Sequence, residues 1–151
     1  MTIIEDTIEI PAAPAKIFDV LLKVFSSQES YKKWHKDHID CQWIKGKPFM
    51  VGSTLYIEEY LHGKLHKMKF LCTKVVPCRT MKYRVSFPMS IIFIKGTFLI
   101  VPLKDTCLFT ATLSFRLGRL LLRFSKGKID AIKQHMKEEG ENLKKLIEVG
   151  F

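Results

Sequence analysis

Two histidines lie three residues apart in the stretch YKKWHKDHIDCQW, which runs from Tyr31 to Trp43. His35 and His38 are accompanied there by two tryptophans and by acidic side chains. A neutral imidazole is a common ligand of divalent metal ions. The stretch is therefore a candidate for one half of a metal site. Packing in the core and exposure to solvent are the alternative interpretations.

The C-terminal part of the chain contains a second pair of polar side chains in an apolar setting. From about Lys128 to Glu148, apolar residues recur with the period of an α-helix and define an apolar arc. His135 and Glu139 lie within or beside this arc, and their spacing of four makes them face the same way. A carboxylate in such an arc is costly unless it is paired or binds a metal. A simple His–Glu hydrogen bond at the edge of the core is the alternative.

Glu59 is a further polar side chain on an apolar face. In STLYIEEYL, strand alternation puts it on the same side as Leu55, Ile57 and Leu61. A strand end or bulge that reaches water is the alternative. These observations offer candidates for one set of four side chains, His38, Glu59, His135 and Glu139, which we call the quartet. Two imidazoles and two carboxylates suit Zn²⁺ or another divalent ion.

The segments YKKWHKDHI, EEYLHG and HMKEEGENL, in this order, resemble the metal-site segments of 2,4-diacetylphloroglucinol hydrolases. The resemblance implies a zinc enzyme with a START-like fold that cleaves the carbon–carbon bond between an acyl group and a phenolic ring. It also implies that the four side chains of the quartet are the ligands. The two histidines of the first segment have one residue fewer between them here, so His35 is an alternative to His38.

We therefore expect a metal-dependent hydrolase that acts on a small apolar or phenolic acyl compound in an internal cavity. The ion would polarise a carbonyl group or activate water. The alternative is a non-catalytic binding or carrier protein for a hydrophobic small molecule. In that case the quartet would only orient the ligand.

Hydrophobic periodicity predicts the elements that must position the quartet. An opening strand contains Ile4, Ile8 and Ile10, and a helix follows in which Pro14 occupies the first turn. A short second helix has Ser27 as its candidate cap. About six strands come next, from Cys41 onward, and a long helix closes the chain. Two of these strands are joined by a tight turn at residues 62–63.

This order is similar to that of the helix-grip fold of the START and Bet v 1-like superfamily, of the polyketide cyclase type. The resemblance implies one α+β domain over residues 1–151. In that fold a curved antiparallel sheet, two short helices and a long C-terminal helix enclose a cavity. A small hydrophobic or aromatic molecule is the expected ligand of such a cavity.

One face of the predicted sheet supplies candidates for the cavity lining, because these residues alternate with polar ones along the strands. They are Met68, Phe70, Tyr83, Phe98, Phe109, Leu113 and Phe115. Gly140 lies near the centre of the apolar arc of the long helix, where glycine costs about 1 kcal/mol relative to alanine. We expect it to permit a close approach of that helix to the sheet or to a ligand.

Composition argues against several classes of partner. Lys and Arg outnumber Asp and Glu by 25 to 15, giving a net charge of +10. These charges are scattered and include no arginine-rich arm, so we expect no nucleic-acid partner.

The apolar run 87–103 is interrupted by Lys95, Gly96 and two prolines, which favours strands over a membrane span. Four cysteines without CxxC spacing, and no recognisable signal peptide, predict a cytoplasmic protein. A homodimer is compatible with the sequence.

Overall fold

A computed structural model describes residues 2–116 and 126–151 of the chain. Strand β1 (Thr2–Ile10) is followed by two short helices, α1 (Pro14–Val24) and α2 (Gln28–Trp34). Six strands come next, namely β2 (His38–Lys45), β3 (Thr54–Leu61), β4 (Lys64–Val76), β5 (Thr80–Val85), β6 (Phe93–Pro102) and β7 (Cys107–Phe115). A 3₁₀ turn (Met89–Ile91) precedes β6, and a long helix, α3 (Lys126–Val149), follows β7.

The strands form one antiparallel sheet in the order β1-β7-β6-β5-β4-β3-β2. Neighbours in the sheet are therefore consecutive in the chain, except that β1 pairs with β7. His62 and Gly63 both have positive φ, 45° and 77°, at the turn between β3 and β4. Two such residues are typical of a tight hairpin turn whose twist matches that of the strands. The predicted α+β helix-grip fold is confirmed.

The first two helices begin as their sequences predict. Pro14 is in the first turn of α1, and the Ser27 hydroxyl accepts a hydrogen bond from the Ser30 amide at 3.1 Å at the start of α2. Strand β2 begins at His38, three residues before the predicted start near Cys41. The difference arises because a register shift lies between His38 and Asp40, so this part of the strand does not alternate regularly.

The long helix packs against one face of the sheet and buries the apolar arc predicted from its sequence. Its buried apolar side chains are Ile132, Met136, Leu143 and Ile147. A methyl group built on Gly140 would lie 3.3 Å from both the Asp6 carboxylate and the Ile8 side chain of β1. The close approach predicted for Gly140 is therefore an approach of α3 to β1.

The most apolar run of the sequence, residues 87–103, contains the 3₁₀ turn and β6. Within the described ranges, none of the helices combines the length and the apolar character that crossing a membrane requires.

Candidate metal centre and cavity

Three separate elements bring the quartet together. His38 opens β2 and pairs in register with Glu59 of β3, while His135 and Glu139 lie one turn apart on α3. One nitrogen or oxygen atom from each of the four side chains lies within 4.8 Å of the corresponding atom of every other member. His38, Glu59 and His135 are buried, and Glu139 is partly buried. The cluster is therefore of a kind that can hold a metal ion.

Four nitrogen–oxygen distances within the quartet are close to those between the ligands of a small tetrahedral ion. His38 Nε2 lies 3.0 Å from Glu139 Oε2 and 3.4 Å from Glu59 Oε2. His135 Nε2 lies 3.7 Å from Glu59 Oε2 and 3.6 Å from Glu139 Oε1. Zinc bonds of about 2.0–2.2 Å in tetrahedral geometry separate neighbouring ligand atoms by about 3.3–3.6 Å. His38 and His135 lie nearest to different oxygens of Glu139, so side-chain movement would be needed to bring one atom of each residue around a single ion.

Neighbouring groups orient the quartet in the way that outer groups orient metal ligands. His38 Nδ1 is 2.9 Å from the carbonyl oxygen of Tyr31, so this nitrogen can donate its proton and leave Nε2 for the centre of the quartet. The Tyr31 hydroxyl donates to Glu59 Oε2 at 2.8 Å, and its ring stacks on His38 with 3.9 Å between centroids. On the far side, His135 Nδ1 lies 4.0 Å from Asp37 Oδ2.

His135 is the least satisfied member of the quartet. The residue is 6% exposed, and neither ring nitrogen forms a hydrogen bond with any part of the chain that the structure describes. Its Nε2 contacts at 3.6 and 3.7 Å are longer than hydrogen bonds. A metal ion at the centre of the quartet would give Nε2 the partner that it lacks.

The charges of the quartet are strongly coupled. Burial opposes a charge on His135, but Glu139 and Glu59 outweigh burial and raise its pKa to about 11. Burial also acts to raise the pKa values of Glu59 and Glu139, yet the nearby His135 and His38 hold both pKa values below their usual range. Without an ion, the site therefore holds a protonated imidazole between two carboxylates at neutral pH. A divalent ion would replace that proton and neutralise both carboxylates.

His35, the alternative ligand, lies beside the quartet. Its ring centroid is 4.1 Å from that of His135, and His35, His38 and His135 form a second close set. However, His35 Nδ1 accepts a hydrogen bond from the Asp37 amide at 2.9 Å, and Nε2 lies 3.5 Å from Glu138 Oε1. Both ring nitrogens of His35 thus have partners outside the quartet. His38 Nε2, in contrast, lies near both carboxylates of the quartet.

A cavity of about 60 Å³ adjoins the quartet between the sheet and α3. Glu59, His135 and Glu139 form part of its wall. The predicted lining residues that contribute to the wall are Met68, Phe70, Tyr83, Phe98 and Leu113. A cavity of about 150 Å³ can hold benzene, so a single aromatic ring would enter here only if side chains moved. Met68 and Met136 are flexible wall residues that can make such room.

Two predicted lining residues lie elsewhere. Phe109 and Phe115 do not form part of the cavity wall and are only 2% and 1% exposed. Phe109 stacks on Phe98 with 5.8 Å between ring centroids, and Phe115 packs against Phe93 at 5.1 Å. Strand alternation identifies the face of the sheet to which a side chain points. It does not indicate whether a void or another side chain lies opposite.

Sequence reasoning did not identify Tyr31 and Trp34, which support the site from α2. Trp34 Nε1 donates to the backbone carbonyl of Glu139 at 2.9 Å, and Asn142 donates back to the carbonyl of Trp34 at 2.9 Å. These bonds attach α2 to the part of α3 that carries the quartet. The one available signal was the presence of two large aromatic residues three positions apart in a short polar helix.

Comparison with known structures shows that other proteins share the fold of this chain. The Zhui aromatase/cyclase from Streptomyces sp. R1128 is 12% identical, over 97% of this chain and 93% of that chain, with a TM-score of 0.75. Norcoclaurine synthase from Thalictrum flavum, in complex with dopamine and hydroxybenzaldehyde, is 13% identical over 99% and 88%, with a TM-score of 0.74. The Aha1 dimer from Colwellia psychrerythraea is 22% identical over 99% and 98%, with a TM-score of 0.69.

The family comparison is more direct than the structural one. No curated protein matches the chain. The comparisons give no support to the resemblance to 2,4-diacetylphloroglucinol hydrolases. Residues 1–148 match the family described as polyketide cyclase / dehydrase and lipid transport. Because the match spans nearly the whole chain, the protein belongs to this polyketide cyclase / dehydrase and lipid transport family.

Proposed function

We propose that the protein binds one divalent metal ion through the quartet and uses it to act on a small apolar or phenolic acyl compound. Zn²⁺ is the best chemical match, because imidazole and carboxylate are ligands that it commonly takes in enzymes. The observation that carries the proposal is the spacing of 3.0–3.7 Å between nitrogen and oxygen atoms of four side chains from three elements.

The position of the cavity supports a reactive role for the ion. Glu59, His135 and Glu139 contribute to the cavity wall. A ligand oxygen in the cavity could therefore approach the ion directly. Because the quartet would supply four protein ligands, a reacting oxygen would have to enter as a fifth ligand, as sometimes happens in the transition states of zinc enzymes.

The reaction that fits the site is hydrolysis of an aryl ketone. The bound ion would supply Lewis acidity, which polarises a carbonyl group and makes bound water more acidic. The oxygen of water bonds to the acyl carbon, the bond from that carbon to the ring breaks, and the ring carbon takes up a proton. The products are a carboxylic acid and the deacylated ring. The quartet holds the ion, and Phe70 and Phe98 offer apolar surface to the ring.

Metal content is the first test of this proposal. Protein purified without added chelator and dialysed should contain about one zinc ion per chain, or should bind about one on titration. Glu148, on the exposed side of α3, provides a matched control. The Glu139→Gln variant should lose the ion, whereas Glu148→Gln should retain it. A wild-type chain that binds no zinc on titration would contradict the proposal.

A non-catalytic binding or carrier protein is the second candidate. Its support is the family description, which includes lipid transport, and the aromatic molecules bound to norcoclaurine synthase. The two candidate functions are distinguished by whether a bound compound is converted to products. Zinc-loaded protein incubated with 2,4-diacetylphloroglucinol should release acetate if it is a hydrolase of this type. Saturable binding of that compound without acetate would favour the carrier.

We also propose that the protein is cytoplasmic and that it forms a homodimer. The location rests on the cysteines, since Cys41, Cys72, Cys78 and Cys107 are all unpaired thiols. The homodimer is suggested by the similar Aha1 structure, which is a dimer. Sedimentation of the purified protein at several concentrations would distinguish a monomer from a dimer.

A further inference from the structure

Tyr83 occupies an unusual position in the wall of the cavity. It lies on β5, is partly buried, and stacks on Phe70 with 4.3 Å between ring centroids. A second cavity, of about 20 Å³, lies next to the first, and Tyr83 lines both. Phe25, Phe70 and Phe98 line both cavities with it. A polar hydroxyl group is thus placed among aromatic hydrocarbon side chains.

Gly96 provides the space that the end of the Tyr83 ring occupies. The two residues are directly paired between β5 and β6. A methyl group built on Gly96 would overlap Cζ and Oη of Tyr83. Any larger residue at this position would therefore displace the ring. The absence of a side chain at Gly96 lets Tyr83 extend across β6 within the enclosed side of the sheet.

Tyr83 is only partly buried, and none of the hydrogen bonds among the residues that the structure describes involves its hydroxyl group. The fully buried Tyr31, in contrast, donates its hydroxyl proton to Glu59 at 2.8 Å. A tyrosine in an apolar wall gains from a hydrogen-bond partner for its hydroxyl group. Burial raises the pKa of Tyr83, and the nearby Glu139 and Glu59 raise it further. The group therefore remains protonated at neutral pH and is available as a donor.

We propose that Tyr83 donates a hydrogen bond to an oxygen atom of the ligand and so makes the cavity select carbonyl or phenolic compounds over pure hydrocarbons. The inference rests on the proposed function only in that a small molecule must enter the cavity. It does not depend on the metal ion. Tyr83 would be a specificity-determining residue whose partner is supplied by the ligand.

A pair of probes of similar shape tests this inference on protein made metal-free with EDTA. Acetophenone carries a carbonyl oxygen, and cumene has a methyl group at the corresponding place. The ratio of their dissociation constants is measured by calorimetric or NMR titration for the wild type and for Tyr83→Phe. The loss of one neutral hydrogen bond should reduce the preference for acetophenone by about 2- to 12-fold. Cumene should bind both proteins equally.

Tyr60→Phe provides the matched control, because Tyr60 is 43% exposed on β3. This variant should keep the wild-type ratio. If both probes bind and Tyr83→Phe leaves the ratio unchanged, the role of Tyr83 is refuted while the cavity proposal stands. If neither probe binds to the wild type, both the cavity proposal and this inference fail.

Discussion

His38 is oriented through the ring nitrogen that faces away from the centre of the quartet. The Tyr31 carbonyl accepts a hydrogen bond from His38 Nδ1 at 2.9 Å, whereas the Asp37 carboxylate lies 4.0 Å from His135 Nδ1, beyond hydrogen-bond distance. Both Nε2 atoms then face the carboxylates of Glu59 and Glu139. Loss of such outer contacts commonly weakens metal binding by about 10- to 100-fold, so loss of a ligand itself should weaken it more.

Replacing Glu139 with Gln tests the ligand role of this carboxylate. The variant keeps the shape of the side chain but removes its charge. We expect zinc affinity to fall by more than about 100-fold, with the circular dichroism spectrum and the cooperativity of unfolding retained. Competition with a chromogenic chelator would measure the affinity. Unchanged affinity would show that Glu139 is only a hydrogen-bonding residue of the core.

Zinc binding should release protons. Because the pKa of ion-free His135 is about 11, the imidazole is protonated at neutral pH and must lose about one proton per ion bound. Calorimetry in buffers of different ionisation enthalpy would count that proton. The affinity should rise by about tenfold per pH unit between about pH 6 and pH 8. Binding without proton release would contradict the charge state assigned to His135.

The ion-free protein should show a related dependence on pH. The pKa of His135 is raised from 6.5 in the unfolded chain to about 11 in the fold. Protonated His135 therefore contributes its full stabilisation at pH values below 6.5, and this contribution is lost as the pH rises toward about 11.

At the scale of elements, the position of the quartet depends on how closely α3 lies on the sheet. Gly140 is one residue from Glu139, and a methyl group there would lie 3.3 Å from Asp6 and Ile8 of β1. Such contacts are tight, and the Ile8 side chain is β-branched and therefore stiff. The spacing between α3 and β1 is thus set at a point next to a proposed ligand.

Gly140→Ala should lower the free energy of unfolding by about 1 kcal/mol, because overpacking outweighs the gain in helix propensity. It should also weaken zinc binding, since α3 must move away from β1. Gly127 is the control, because nothing lies within 4 Å of a methyl group built there. Gly127→Ala should raise stability or leave it unchanged. A higher melting temperature with intact zinc binding in Gly140→Ala would exclude the packing role.

Periodicity predicted much of this arrangement. The period of two placed Glu59 on the buried face of β3, and the period of 3.6 placed His135 on the buried side of α3. The contribution of Tyr31 depends on how α2 sits against β2 and β3, which no local pattern encodes. Likewise, Phe109 belongs to the packed core because Phe98 covers it. Such facts follow from the packing of distant elements, so the sequence pattern did not reveal them.

Over the whole molecule, a bound ion would connect β2, β3 and α3. An ion that binds only the native state stabilises it by about 2.7 kcal/mol when present at a hundredfold excess over its dissociation constant. For a chain of this length we expect the melting temperature to rise by roughly 5–10 °C with zinc. Excess EDTA should reverse the shift, and Glu139→Gln should abolish it. Equal melting temperatures with and without zinc would contradict binding to the folded protein.

The separation of the ligands along the chain has a kinetic consequence. His38 and Glu139 are 101 positions apart, so the quartet is complete only after β2 has paired with β3 and α3 has docked. Contacts of such long range form late in folding, and interactions that are absent from the transition state change the unfolding rate rather than the refolding rate. Zinc should therefore prolong the lifetime of the native state in stopped-flow unfolding and leave refolding as fast as before. Faster refolding in the presence of zinc would mean that the ion brings its ligands together before the transition state of folding.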